Sequence, residues 1–418
     1  MFNEEENHSF NSISDKLIAD IYFGLPKSGD KNNEVTTMEQ TKTKLTVWEA
    51  ACIITGYGIG GGVLAMPYLA AQNGVLMAGV ILVIAFLASY LLHMMIADTV
   101  QKCGEGTQIV SVFSRFLFRG RGKTALTILF FVLMAIVLCS NLAAYIAGAA
   151  DVLIEMLPIP PLAAKLIFYV LAASVVVFGL KAVAVSEKIM VAVIFAIIAV
   201  LAVFSLLAEH HPLPVAMGTP KAGLAYYGMA MLAFSAFFSI PQAVEGLGGD
   251  AKKIKKAVFL GLGNNLILII VITLCALIAS KEVTEVAMTG WSAGIGSWAI
   301  IAGGIFTVLA MLTTYWSISL ALSGIVEEQT KWNSKICWIL ATVPSLALAL
   351  LNIGGFLDFL EIAGGAIAII VAVMVVPTYR NAWKEVGGSM LGSFGGTAWQ
   401  IVTVIAYILM AVGSLLSV

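Results

Sequence analysis

Charge is what this chain has little of. Only 11% of its 418 residues are Asp, Glu, Lys or Arg, against about 25% in soluble domains. That deficit excludes an ordinary water-soluble globular domain; the net charge of −1 says nothing about partners, and no nucleic-acid partner is expected. Histidine is scarce too: the four are scattered. No H-E-x-x-H type of ligand set exists, so a membrane metalloenzyme finds no support and no enzyme activity is expected. Five cysteines, Cys52, Cys103, Cys139, Cys275 and Cys337, are an odd number and lie mostly in apolar stretches. They read as small packing residues rather than a disulfide framework. A repeated pore ring or filter motif is missing, which removes the main sequence sign of a channel.

What the chain does have is apolar length. It is 60% hydrophobic, with a mean hydropathy of +0.98. Apolar windows of about 20 residues, enough to cross a bilayer, fall near 47–71, 75–97, 124–157, 162–180, 188–208, 223–246, 257–280, 297–325, 335–352, 355–377 and 397–417. The expectation is an all-α polytopic membrane protein with eleven spans. Residues 1–44 are polar and charged. They are too long and too acidic for a signal peptide, and are expected to form a cytosolic tail. The patch 17–23 is the weaker alternative, a short amphipathic helix on the membrane or the bundle.

Lysine and arginine set the orientation. With the tail inside, all but Lys165, Lys221 and Lys281 of the 23 basic residues fall in inner segments. The reading is N-terminus cytosolic and C-terminus extracellular, in the plasma membrane.

The densest local signal is Gly56-Tyr57-Gly58-Ile59-Gly60-Gly61-Gly62, closed by Met66-Pro67. Glycine costs about 1 kcal/mol relative to alanine in a helix, and Pro67 cannot donate to the carbonyl of Val63. In lipid a broken helix is tolerated only where it lines protein or a cavity. Simple helix packing through small residues is the plainer alternative. A second proline, Pro241, stands in the sixth window. Its distance from Pro67 nearly equals the interval between the third and eighth windows. Five windows per unit makes the copies antiparallel. The domains are therefore expected as 45–209 (spans 1–5), 221–378 (spans 6–10) and 397–417 (span 11), a 5+5 inverted repeat with broken helices 1 and 6. That pattern points to a secondary transporter with a midplane site.

The segment G-Y-G-I-G-G-G-V-L-A-M-P-Y resembles the Gly-rich first span of the amino acid/auxin permease family, of the form G-S-G-I-L-x-L-P-Y. Ala233 to Pro241 is similar to that family's F-A-F-x-x-x-x-x-x-P segment, and Ala144 to Leu153 to its Y-x-x-x-x-G-D-L-L stretch. The resemblance covers spans 1 to 11. It implies the LeuT-type fold of the amino acid–polyamine–cation superfamily, and uptake or exchange of amino acids by alternating access.

A zwitterionic amino acid suits a broken helix. Free N–H groups near Gly61 and Gly62, with Gly60, would face its carboxylate. Carbonyls near Tyr57 and Gly58 would face its ammonium or a cation. Phe234, Ser235 and Phe237, beside the second break, would line the pocket. In span 8, Thr313 and Thr314 offer hard hydroxyl ligands; the alternative is ordinary bonding to the i−4 carbonyl. Matched by position to sodium-coupled members of the fold, the carbonyls of Thr55, Gly58 and Ala310 would complete a Na+ shell. Proton coupling is the competitor, although the span 5 lysine of some proton-coupled relatives is missing near Ile194 and Phe195. Asp358 and Glu361 share a helical face, and Glu361 is the candidate for gating or proton binding. Ala65 stands where some relatives carry the arginine of an outer gate. Asn141, Asn264 and Asn265 read as interhelical hydrogen-bonding residues, and His93 as structural. No cofactor is expected beyond the coupling ion. The expected partners are a small amino acid, neutral in its side chain, and the lipid bilayer, with the protein a monomer. A sensor built on a transporter scaffold is the remaining alternative.

Overall fold

Apolar helices account for nearly all the regular structure. The computed structural model describes residues 44–104, 106–284, 287–351 and 371–416; Asp358, Glu361 and the expected tail up to residue 43 lie outside them. Helix α1 (Val47–Gly58) starts at Thr46. The Thr46 hydroxyl accepts the Glu49 N–H at 3.2 Å and the Glu49 carboxylate accepts the Thr46 N–H at 2.9 Å. This reciprocal capping box fixes the entry to the first span. A tight 3-10 turn, Gly61–Ala65, leads into α2 (Met66–Asn73). Gly74, at φ 73°, then reverses the chain into α3 (Val75–Cys103), a backbone conformation that favours glycine. Next come α4 (Ile109–Phe116), α5 (Lys123–Met156), α6 (Pro161–Val176) and α7 (Leu180–Leu207).

The second half opens with α8 (Pro220–Ala233) and α9 (Ser239–Gly246). Then follow α10 (Ala251–Ala279), α11 (Ala287–Ile295), α12 (Trp298–Thr330) and α13 (Ser334–Leu350). After the undescribed stretch, a π-helical turn, Val371–Val375, runs into α14 (Val376–Val386), and α15 (Thr397–Ser414) follows.

Among the described residues six helices are long and apolar enough to cross a bilayer, and the α1–α2 pair makes a seventh crossing bent by 60°. The α6 and α13 helices are apolar but shorter. Most of the expected tenth span falls in the undescribed stretch. Burial sorts the helices into layers. Every residue of α1 from Glu49 to Gly58 is buried, as expected of a helix at the centre of a bundle. It packs on α10, α7 and α12. By contrast α7 exposes Val193, Val200, Val203 and Phe204, a face suited to lipid rather than water. Helix α15 packs along α8, where Gly228 and Gly413 bring the two backbones together so closely that a Cβ on either would overlap the other helix.

Three features depart from the sequence expectations. The α4 and α11 helices, of 8 and 9 residues, are too short to register in a window sized for a bilayer. The α7 helix begins at Leu180, where the hydropathy window begins at 188, because Lys181, Glu187 and Lys188 lower the average. The interruption in the sixth span falls at residues 234–238, ahead of Pro241, which lies in the first turn of α9. There its missing N–H is one that the helix leaves unpaired anyway.

Candidate functional site

The first break lies at the end of α1. The helix closes with the Ile59 N–H donating to the Thr55 carbonyl at 3.0 Å. The chain then turns through Gly60 into the 3-10 segment, and the two halves diverge by 60°. The glycines here let five different helices approach the backbone. A Cβ on Gly56 would overlap the Glu187 carboxylate of α7, and one on Gly58 would overlap the Asn265 amide of α10. One on Gly60 would lie 3.0 Å from the Tyr145 hydroxyl of α5 and 3.5 Å from Oγ1 of Thr314. At Gly62 it would lie 3.4 Å from Sδ of Met229 in α8.

Two hydroxyls of α12 meet the carbonyls at the C-terminal end of α1. Thr313 donates to the Gly56 carbonyl at 3.1 Å and the Ala310 carbonyl at 2.9 Å. Thr314 reaches the carbonyls of Gly56 at 3.0 Å, Tyr57 at 3.3 Å and Ala310 at 2.9 Å. Each hydroxyl has one proton, so neither can serve all its neighbours at once. The result is a cluster of hard oxygen atoms at the negative end of a helix, suited to a small cation. Of the five residues expected there, Ala310, Thr313 and Thr314 come together, joined by Gly56 and Tyr57. Thr55 and Gly58 turn to α10 instead. The Thr55 hydroxyl donates to the carbonyls of Ala51 and Gly261 and accepts from Asn264 at 3.1 Å, while its carbonyl is held by Ile59. Gly58 faces Asn265. Helical twist explains the split, because positions 55 and 58 share a face that 56 does not.

The second break is built differently. Ser89 of α3 donates to the Phe234 carbonyl at 3.2 Å. The Ala236 N–H donates to Nε2 of His93 at 2.9 Å. Nε2 therefore accepts, so the proton of the neutral ring sits on Nδ1, 2.7 Å from the Ser89 carbonyl. Thus His93 is structural in a definite sense: it satisfies an unwound backbone. Phe234 packs edge-on against Phe86 at 5.8 Å, and Phe237 stacks on His93 at 5.0 Å and lies 6.0 Å from Tyr407. Their described ring contacts are thus with α3 and α15. The Phe237 carbonyl, which Pro241 four residues on cannot serve, accepts the Ile240 N–H at 3.3 Å. The Ser235 hydroxyl donates to the Met231 carbonyl at 3.0 Å. The residues of α8 that face the first break are Met229 and Ala233.

Three buried groups beside the first break stand out. Glu187 is fully buried in α7; Ser317 of α12 donates to its Oε1 at 2.9 Å, and Oε2 has no partner among the described residues. Asn265 is fully buried with neither amide atom partnered, and the Tyr57 hydroxyl is likewise unpartnered. Tyr145, legible in the sequence only as part of the third-span motif, reaches the break through its hydroxyl. Glu187 could have been found by asking which acid lies one turn inside a span edge that lysines blur.

Among the described residues, a helical bundle whose first apolar segment bends by 60° after Gly58, and whose α8 and α9 are separated by an unwound stretch, has the arrangement expected of a LeuT-type fold. The chain belongs to the tryptophan/tyrosine permease family, which it matches over residues 43–414. Among solved structures it is similar to Mhp1, a nucleobase-cation-symport-1 family transporter in a closed conformation with bromovinylhydantoin bound. The two are 15% identical, with a TM-score of 0.57 over 90% of this chain and 91% of that one, so the likeness is one of fold. No curated protein matches the chain.

Proposed function

We propose that the protein is a secondary active transporter that carries a neutral amino acid across the plasma membrane by alternating access, with the tail on the cytosolic side. The family's description favours an aromatic solute, tryptophan or tyrosine, and the narrower resemblance to amino acid/auxin permeases agrees with amino acid carriage. The observation that carries the reading is the break after Gly58, where unpartnered Tyr57 and Asn265 polar groups gather at two half-helix ends. The backbone at Gly60, Gly61 and Gly62 would take the solute carboxylate, and the Tyr57 and Gly58 carbonyls its ammonium. Tyr145, Met229 and Ala233 would line the pocket along with Phe234, Ser235 and Phe237. Sodium would bind at the Thr313, Thr314 and Ala310 oxygens with the carbonyls of Gly56 and Tyr57.

A second reading, proton coupling, is favoured by one observation. Glu187 presents a carboxylate with no basic partner against the same backbone. Purified protein in liposomes, given labelled L-tryptophan under a sodium gradient, a pH gradient, or neither, tests both. Saturable uptake driven by one gradient is expected. Binding without flux would favour the sensor alternative and overturn carriage.

A further inference from the structure

The sequence expectation for Asn141 is a hydrogen bond across helices, as Asn264 makes to Thr55 at 3.1 Å. Asn141 makes none of that kind. It is 5% exposed on α5, and no described group reaches its Oδ1. A buried amide oxygen without a donor is costly, and here it stands beside the first break. Tyr145 follows Asn141 by four residues, so the two share one face of α5. The Tyr145 hydroxyl would lie 3.0 Å from a Cβ on Gly60, which turns that face toward the break. From the other side, Tyr57 of α1 brings a buried hydroxyl that is likewise unpartnered and within electrostatic reach of Tyr145.

We infer that Asn141 is a specificity-determining residue: its Oδ1 accepts a hydrogen bond from the ring of an aromatic amino acid, the indole N–H of tryptophan or the phenol O–H of tyrosine. This rests on the amino acid reading of the transport site above and names the residue that reads the side chain. The lengths agree. Four residues of α5, about 6 Å of rise, separate Asn141 from Tyr145, comparable with the length of an aromatic side chain. A solute whose carboxylate and ammonium are held at the break therefore lays its ring along α5 toward Asn141.

The chemistry agrees as well. An amide oxygen only accepts, so its complement is a donor. The hydroxyls of α12, which packs along α5, are committed elsewhere: Thr313 and Thr314 donate to backbone carbonyls. None of α1 from 50 to 58, α5 from 124 to 150 or α12 from 298 to 326 contains Asp, Glu, Lys, Arg or His, so these helices offer a charged side chain no counter-charge. A ring that brings its own donor pairs the oxygen, whereas phenylalanine leaves it bare. A site built around such a bond rejects the analogue lacking it far more strongly than an apolar pocket rejects a change in size.

The test uses the purified full chain in liposomes and two matched pairs of solutes. L-tryptophan is compared with benzothienyl-L-alanine, which has nearly the same shape but sulfur in place of the ring N–H. L-tyrosine is compared with L-phenylalanine, which lacks the phenol. Affinities come from thermal shifts over a range of solute concentrations. The wild type should favour the donor-bearing member of at least one pair by about tenfold or more, and the pair that shows it tells which ring the site takes. Asn141→Leu, of similar size, should bind the two members of that pair within about twofold of each other. It should also bind the donor-free member more tightly than the wild type does, a gain that a purely structural role for Asn141 would not produce. Equal affinities within both pairs in the wild type would overturn the inference without any variant. So would a preference that survives in Asn141→Leu, or a parallel loss of all four solutes there. A wild type that binds none of the four would instead remove the aromatic-solute reading, and the inference with it.

Discussion

The two interrupted crossings differ in what satisfies them. At the second break the protein finishes its own hydrogen bonds: Ser89 and His93 serve Phe234 and Ala236, and aromatic rings fill the space. At the first break polar atoms are left over, on Tyr57, Asn265 and Glu187, and small residues keep the backbone reachable. Buried polar groups are nearly always paired. Among the described residues more of the unpaired ones gather at the first break, while beside the second Gln242 and Tyr407 each leave one oxygen unpartnered and the unwound backbone itself is served; the first suits a visitor and the second support.

The sharpest way to break this contrast is Gly56→Val. Its Cβ meets the Glu187 carboxylate, so uptake should vanish, with overpacking costing about 1–3 kcal/mol or more. Uptake and melting temperature measured together check it, and wild-type flux would contradict the close approach. Gly61→Val should abolish solute binding while the fold survives, read by a thermal shift with and without L-tryptophan. If the second break is only support, His93→Ala should act mainly on stability. Leaving the Ala236 N–H unpaired should cost about 1–3 kcal/mol, with little change in solute affinity in the surviving protein; a large loss of affinity would erase the distinction between the breaks. Thr314→Ala should weaken any sodium dependence of uptake, and a wild type indifferent to sodium replacement would remove that role for the hydroxyl. The smallest effect belongs to Lys188→Ala. The lysine is largely exposed at 41%, so losing its pairing with Glu49 should cost no more than about 1 kcal/mol, as chemical denaturation would show.

Much of this contrast was legible in the chain, though unevenly. Five glycines in seven residues located the first break within a residue or two, because they exceed what helix packing through small residues needs. The second break was read from Pro241, which lies in the first turn of α9; the discontinuity itself falls on Phe234 to Phe238, residues with no local signature of unwinding. Thr313 and Thr314 lie beside α1, but the carbonyls they meet depend on the rotation of α1, which side-chain spacing leaves free. Glu187 escaped because one acid among apolar neighbours looks interfacial when lysines stand beside it. Only the packing of α7 against Gly56 reveals that it is interior.

The backbone contact between Gly228 and Gly413 makes α15 a splint along α8. Two glycines in register leave no cushion of side chains to absorb sliding, so displacement of α8 must be handed to its neighbour. A reporter dye attached near Ser414 would therefore register displacement of α8 from outside that helix.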